Sequence, residues 1–314
     1  MQFRLFAGGM AIALLLLGGS AVPQALEAQF RPLAPMPPEG LPVSPFMEGW
    51  YENDDGSYTI SFGYLNRNEE QILHKPIGDD NYIEPEAFGG MQPTIFLPGR
   101  HRGVFAITIP QAMHEDGEDL WWYITNTNGE VHRVPGRARA EAYQLDRNPR
   151  PQGSLQPVIW FDDEDEQGSG PEGIIADETL TPSVGEPVEL TIHAMDPSER
   201  DPEDPRFREA IPLRVVWFNH QGPAEVEFTR HESTPEPEES EEDEDDDMRR
   251  RGGPPGPEVV MLEEGEGTAR VYATFHRPGE YLVRARVDNW QAPDSSSGDQ
   301  CCWTNGYVRV IVEE

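Results

Sequence analysis

The chain has 314 residues, of which 58 are acidic and 24 are lysine or arginine, giving a formal net charge of −34. A body so negative repels nucleic acid and anionic membranes, and charge leaves cationic partners and divalent ions as the species it favours. Only 36% of residues are hydrophobic, and 31 prolines and 30 glycines point to short strands joined by turns, with some disordered sequence.

At the N-terminus, Arg4 precedes an apolar run centred on Ala11 to Leu17. Ala25 and Ala28 supply small residues for cleavage before Gln29, which is the layout of a secretory signal peptide. An uncleaved anchor is the alternative, because Leu5 to Val22 approaches the roughly 18 apolar residues that cross a bilayer. Gly8-Gly9 and Gly18-Gly19-Ser20 interrupt that run and favour cleavage. Either way the remainder is exported, to the periplasm or the cell exterior, and stays tethered to a membrane only if residues 1–28 are retained.

Residues 29–47 hold Pro32, Pro35, Pro37, Pro38, Pro42 and Pro45 and read as an extended linker. The first β-sandwich domain is expected over 48–145. Ser57 to Leu65 alternates, with Tyr58, Ile60, Phe62 and Tyr64 on one face and Thr59, Ser61 and Gly63 on the other, as a half-buried strand does. Further strands are predicted at Thr94 to Leu97, Val104 to Ile109 and Leu120 to Thr125. Asn128-Gly129 supplies a hairpin turn into Val131 to Val134.

Residues 146–185 read as a connector with one apolar run, Val158 to Phe161, and the acidic group Asp162 to Glu166. The second domain, 186–314, predicts strands at Val188 to Ala194, Leu213 to Phe218, Ala224 to Phe228, Ala269 to Phe275, Tyr281 to Val287 and Tyr307 to Val312. Trp217 stands where immunoglobulin-like sandwiches bury an aromatic. Pro278-Gly279-Glu280-Tyr281 resembles the turn-then-tyrosine entry of the penultimate strand in polycystic-kidney-disease-type modules. The fold class is therefore all-β: two antiparallel β-sandwich domains, the second immunoglobulin-like. Residues 232–257 form a low-complexity insertion with eleven acids between Glu232 and Asp247, then Arg249-Arg250-Arg251; such a stretch is expected to be a disordered loop.

Several residues are candidates for chemistry. Cys301-Cys302 is an adjacent pair whose disulfide would be vicinal or intermolecular; a vicinal bond is strained and would serve either as a lock on the loop before the last strand or as a rigid knuckle beside Trp303. Calcium is the one cofactor the acids suggest. The EF-hand-like stretch Asp163 to Ile174 fails, because Ile174 stands where a bidentate glutamate is needed. Loop acids remain as candidate ligands: Asp54, Asp55, Asp79, Asp80, Asp196 and Asp288. Candidate binding aromatics are Trp121, Trp122, Trp290 and Trp303. Neighbours in a strand point to opposite faces, so one of Trp121 and Trp122 is a candidate surface residue. The histidines form no metal-ligand pair, and no nucleophile elbow, phosphate loop or dinucleotide fingerprint is present.

Gly49-Trp50-Tyr51, Asp55-Gly56-Ser57-Tyr58-Thr59, Phe62-Gly63-Tyr64, Asn66-Arg67-Asn68, Gln92-Pro93-Thr94, Phe96-Leu97-Pro98-Gly99-Arg100 and Cys301-Cys302-Trp303-Thr304-Asn305-Gly306 resemble segments of a group of uncharacterised exported bacterial proteins. That group combines an N-terminal β domain with an immunoglobulin-like C-terminal domain. The resemblance implies the fold and the compartment and assigns no site residue. The reading that follows is a non-enzymatic extracytoplasmic interaction or structural protein, an envelope-associated subunit of a larger assembly with a protein partner. The alternatives are a carbohydrate- or calcium-dependent binding module and a hydrolase with dispersed carboxylates.

Overall fold

Almost every regular element is a strand. The computed structural model describes residues 39–146, 153–201, 203–207, 209–234, 256–292 and 302–314. Among them, β1 (Val43–Glu52), β2 (Tyr58–Asn66), β3 (Leu73–His74), β4 (Asn81–Glu84), β5 (Ile95–Phe96), β6 (Gly99–Ile109), β7 (Leu120–Thr125) and β8 (Val131–Gly136) build the first half. An antiparallel sheet ordered β1-β2-β6 packs on a second ordered β4-β7-β8, and β3 pairs with β5. Trp122 sits at the centre, fully buried, with Phe105 edge-on at 4.9 Å and Phe62 at 6.2 Å. Its indole Nε1–H donates to Asn81 Oδ1 at 3.0 Å, so the polar end of the ring is satisfied inside the core. Truncating such a residue to alanine costs about 3–5 kcal/mol.

The second half contains β9 (Val158–Trp160), β10 (Gly168–Ser169), β11 (Ile174–Leu180), β12 (Val188–Met195), β13 (Leu213–Gln221), β14 (Val226–Arg230), β15 (Val259–Leu262), β16 (Glu266–Phe275), β17 (Gly279–Asp288) and β18 (Trp303–Val312). Two five-stranded sheets, β10-β9-β12-β16-β14 and β11-β18-β17-β13-β15, enclose a core of alternating inward residues such as Leu190, Ile192, Val215, Val271, Val283 and Val310. Strands adjacent in the chain cross between the sheets in Greek-key fashion, the arrangement of an immunoglobulin-like sandwich. Two hallmarks agree. Trp217 on β13 is buried, and the Tyr281 hydroxyl donates to Arg277 O, four residues upstream, at 2.8 Å.

Three expectations are corrected. Residues 43–47, read as linker, are the start of β1. The register explains how Pro45 fits there. Val43 N–H is taken by Asn126 Oδ1, so odd-numbered residues at this end of edge strand β1 turn their nitrogens away from β2, where proline lacks nothing. The 146–185 connector supplies β9, β10 and β11, which belong to the second sandwich: β9 pairs with β12, and β11 runs parallel to β18. Strand β2, expected to be half-buried, is buried on both faces over Thr59 to Tyr64.

That second burial comes from the other half of the chain. Glu48 is an extra residue in β1 opposite β2, and Arg102 to Val104 bulge out of β6 on the other side of β2. Glu48 Oε2 ties the two bulges, accepting from Gly103 N–H at 2.7 Å and Ser61 Oγ at 2.8 Å. The outward face of β17 and β18 presses onto this feature. Arg284 donates to Gly103 O and to Asn305 Oδ1, and Arg286 Nη1 donates to Arg102 O at 3.1 Å. A second latch joins residues 90–94 to the end of β13: Thr94 N–H donates to His220 O at 2.9 Å, and His220 Nε2 bonds Met91 O at 2.7 Å.

Candidate functional site

The four candidate tryptophans divide by strand parity and by the junction. Trp122 is a core residue and Trp121, its neighbour in β7, faces outward and is half-buried. Trp303 is 1% exposed and packs with Tyr51 and Leu145 between the halves, with the half-buried Trp290 edge-on at 5.8 Å. Arg286 lies over Trp290 at 4.3 Å and Arg214 at 5.5 Å. Trp122 and Trp303 are thus corrected from binding candidates to packing residues, because a ligand cannot reach a ring enclosed on all sides.

Trp121 belongs instead to a row that sequence alone does not assemble. Register places Glu84 opposite Trp121 and Tyr82 opposite Tyr123 on β4 and β7, with Arg133 of β8 opposite Tyr123 on the other side. All point to the outer face of the sheet. Tyr82 and Tyr123 stack at 4.6 Å with 6° between planes, and Trp121 tilts against Tyr123 at 6.4 Å. Arg133 lies over Trp121 at 4.6 Å and over Tyr123 at 5.7 Å, and Arg137 approaches Trp121 at 5.7 Å. Arg137 and Arg139 are both paired with Asp119, at 2.7 and 2.8 Å, whereas Arg133 makes no ion pair among the described residues. Desolvation, with Glu84 and Tyr123 nearby, raises the Tyr82 hydroxyl above its ordinary pKa, so Tyr82 remains a neutral donor. The signal that could have found Tyr82 is the short alternation Asn81-Tyr82-Ile83-Glu84 between Asp80 and Pro85.

The candidate calcium ligands are not brought together. Asp54 and Asp55 lie in the β1–β2 turn, where the Asp55 carboxylate accepts from Ser57 N–H and Oγ. Those two bonds hold its carboxyl below the usual range. Asp79 and Asp80 precede β4 and are exposed. Asp196 follows β12 and pairs with Arg200 at 2.8 Å. Asp288 ends β17, buried between Arg214 at 3.1 Å and Arg286 at 3.2 Å. Among the described residues no group of three or more His, Cys, Asp or Glu is arranged to hold a metal ion.

Cys302 is buried and disulfide-bonded, and its N–H faces Asn289 Oδ1 at 3.4 Å. Cys301, residues 1–28 that read as a signal peptide or anchor, and most of the acidic insertion (residues 235–255) lie outside the described residues. Among the described residues no helix is long and apolar enough to cross a membrane.

No family model matches the chain. No curated protein matches it either. Solved structures similar to it include the D0-D1 domain of intimin, at 10% identity over 85% of this chain and 97% of that one, with a TM-score of 0.23. The D00-D0 domain of intimin is 12% identical over 87% of this chain and 100% of that one, with a TM-score of 0.24. A protein of unknown function from Porphyromonas gingivalis W83 is 11% identical over 86% and 98%, with a TM-score of 0.27. Likeness this distant says nothing of what the chain binds. The fold stands on strand order, register and the tyrosine corner.

Proposed function

We propose that the chain is a non-enzymatic extracytoplasmic interaction protein, an envelope-associated subunit that docks a protein partner on the outer face of the β4-β7-β8 sheet. The observation that carries this reading is the row Tyr82, Tyr123 and Trp121 with Arg133 laid across it. Tyrosine, tryptophan and arginine are the residues that dominate interface energetics, since they combine large contact area with polar ends. The row is flush with a sheet, and its rings cover one another. A sugar-binding site instead needs an open aromatic face, so the arrangement favours a protein over a carbohydrate. The outward face of β17, with Arg284, Arg286 and Asp288, is buried inside the molecule and offers nothing to a partner.

The test is native-size separation of the full chain, gently extracted from its own cells, beside the Trp121→Ala/Arg133→Ala variant. The expected result is a parent that migrates with co-purifying subunits in fixed ratio and a variant that migrates alone with its melting temperature retained. A parent that migrates as a free chain, or a variant that stays in the same complex, contradicts the reading.

A further inference from the structure

We infer that the aromatic row on the β4-β7-β8 sheet receives a carboxylate of the partner protein, an aspartate or glutamate side chain held by the free edge of the Arg133 guanidinium. The inference rests on the reading of this face as a docking surface and names the partner's chemistry there. That chemistry runs against the charge of the whole chain, which favours cations. In a sequence with 58 acids against 24 lysines and arginines, Arg133, Arg137 and Arg139 fall together with no acid between them. Neighbouring acids do not cancel all three. Arg137 and Arg139 share the single carboxylate of Asp119. Glu130 stands against His132 at 3.7 Å, at the hairpin end of β8. Glu84 is on β4, with β7 between it and Arg133 on β8. At physiological ionic strength charges are screened over roughly 8 Å, so a group brought to this face answers to the arginines beside it more than to distant acids.

Arg133 itself is exposed and already positioned. Trp121 and Tyr123 lie beneath its guanidinium at 4.6 and 5.7 Å, and Nη1 donates to the Tyr123 hydroxyl at 3.4 Å. Those contacts hold the group without neutralising it. Among the described residues Nε and Nη2 have no hydrogen-bond partner. These two nitrogens form the edge of the fork that donates to both oxygens of a carboxylate, in the strongest kind of side-chain hydrogen bond. Because the rings fix the fork beforehand, little side-chain freedom is lost when a partner arrives. The half-buried rings also keep water from the pair once a partner covers them. A nucleic acid or another polyanion would bring repeated charge close to a body of −34, whereas one carboxylate on a protein surface brings a single charge to a single fork.

The experiment selects phage-displayed random peptides on the full chain at physiological ionic strength, then measures each selected peptide, synthesised free, by fluorescence anisotropy. Peptides that lose binding to the Trp121→Ala variant report on the docking face. These should carry aspartate or glutamate, and replacing that residue by its amide should weaken binding about tenfold or more, as loss of a charge-assisted pair does. Arg133→Gln should cause the same loss, and the two losses should not add. Arg133→Lys should restore little, because an ammonium has no fork. Arg309→Gln, exposed on β18, makes the same change of net charge (−34 to −35) and should bind as the parent does. Trp121-dependent peptides that lack a carboxylate, that tolerate its amide or Arg133→Gln, or that bind more tightly with phosphoserine in its place overturn the inference and leave the docking face standing. If no selected peptide depends on Trp121, the inference and the docking face fall together.

Discussion

The indole of Trp303 lies directly on the backbone of Gly103, so close that a Cβ at position 103 would stand 2.6 Å from Nε1. Gly103 also has φ +59°, in the left-handed region that side chains disfavour. One residue without a side chain thus allows the β6 bulge to form and the second sandwich to seat on it. Gly103→Ala should cost on the order of 2 kcal/mol or more, from backbone strain and displacement of Trp303. Chemical denaturation measures the loss, and a red shift in tryptophan emission before unfolding would locate it at the junction.

Two histidines at the same junction predict acid sensitivity. Desolvation, with Arg284 adding to it, pushes His220 down to about 3. Desolvation, with help from Arg284 and Arg286, holds His101 at about 4 against the bond it makes to Pro98 O. An unfolded histidine titrates near 6.5, so the unfolded chain binds more protons below that pH. Stability from these groups is fully present above about pH 6.5 and is lost as pH falls toward 4 and 3, at up to about 1.4 kcal/mol per pH unit for each. His220→Gln keeps a donor for Met91 O and removes one titration. Its stability should decline less steeply than the parent's between pH 6 and 4, as followed by urea unfolding.

Arg284 is buried, and among the described residues no carboxylate lies within ion-pair reach of it. Its charge is met by the Gly103 carbonyl, by Asn305 Oδ1 at 3.2 Å and by the Phe218 ring at 4.3 Å. Desolvation pulls its pKa down to about 10. Arg284→Met leaves two acceptors without their donor and should destabilise the chain by about 3 kcal/mol. Arg284→Lys should recover little of that, because an ammonium lacks the planar fork and the stacking face. Thermal melts of both variants check the ordering.

The tyrosine corner gives a smaller, cleaner effect. Tyr281→Phe removes only the hydroxyl that donates to Arg277 O and should cost about 1 kcal/mol, with the junction unaffected. A shift several times larger would mean that the corner also holds the β17 register.

Strands with period-two patterning are legible in the amino-acid sequence. β7 spans the predicted Leu120 to Thr125, and β2 differs from its predicted span by one residue at each end. Trp121 and Trp122 face opposite ways, as their adjacency in a strand requires, but parity alone does not say which face is the core. The hidden elements share a cause. Pro42 and Pro45 mask β1, because the outward phase that makes Pro45 harmless depends on pairing with distant Asn126. Asp177 and Glu178 mask β11, an edge strand whose polar residues are exposed.

The junction is illegible for a related reason. Arg284 and Arg286 alternate with Val283, Ala285 and Val287 as solvated residues do, and Ser61 and Gly63 alternate with Phe62 and Tyr64 in the same way. Their burial comes from one half of the chain covering the other, which local periodicity does not encode.

Site-specific photocrosslinking in the native cells tests the docking face most directly, with a benzophenone side chain placed at Tyr123 and, as control, at Thr191 on the outer face of β12. One adduct of defined mass is expected from position 123, lost when Arg133→Ala is added, and none from position 191. Adducts of equal yield from both positions, or from neither, would contradict docking at this face.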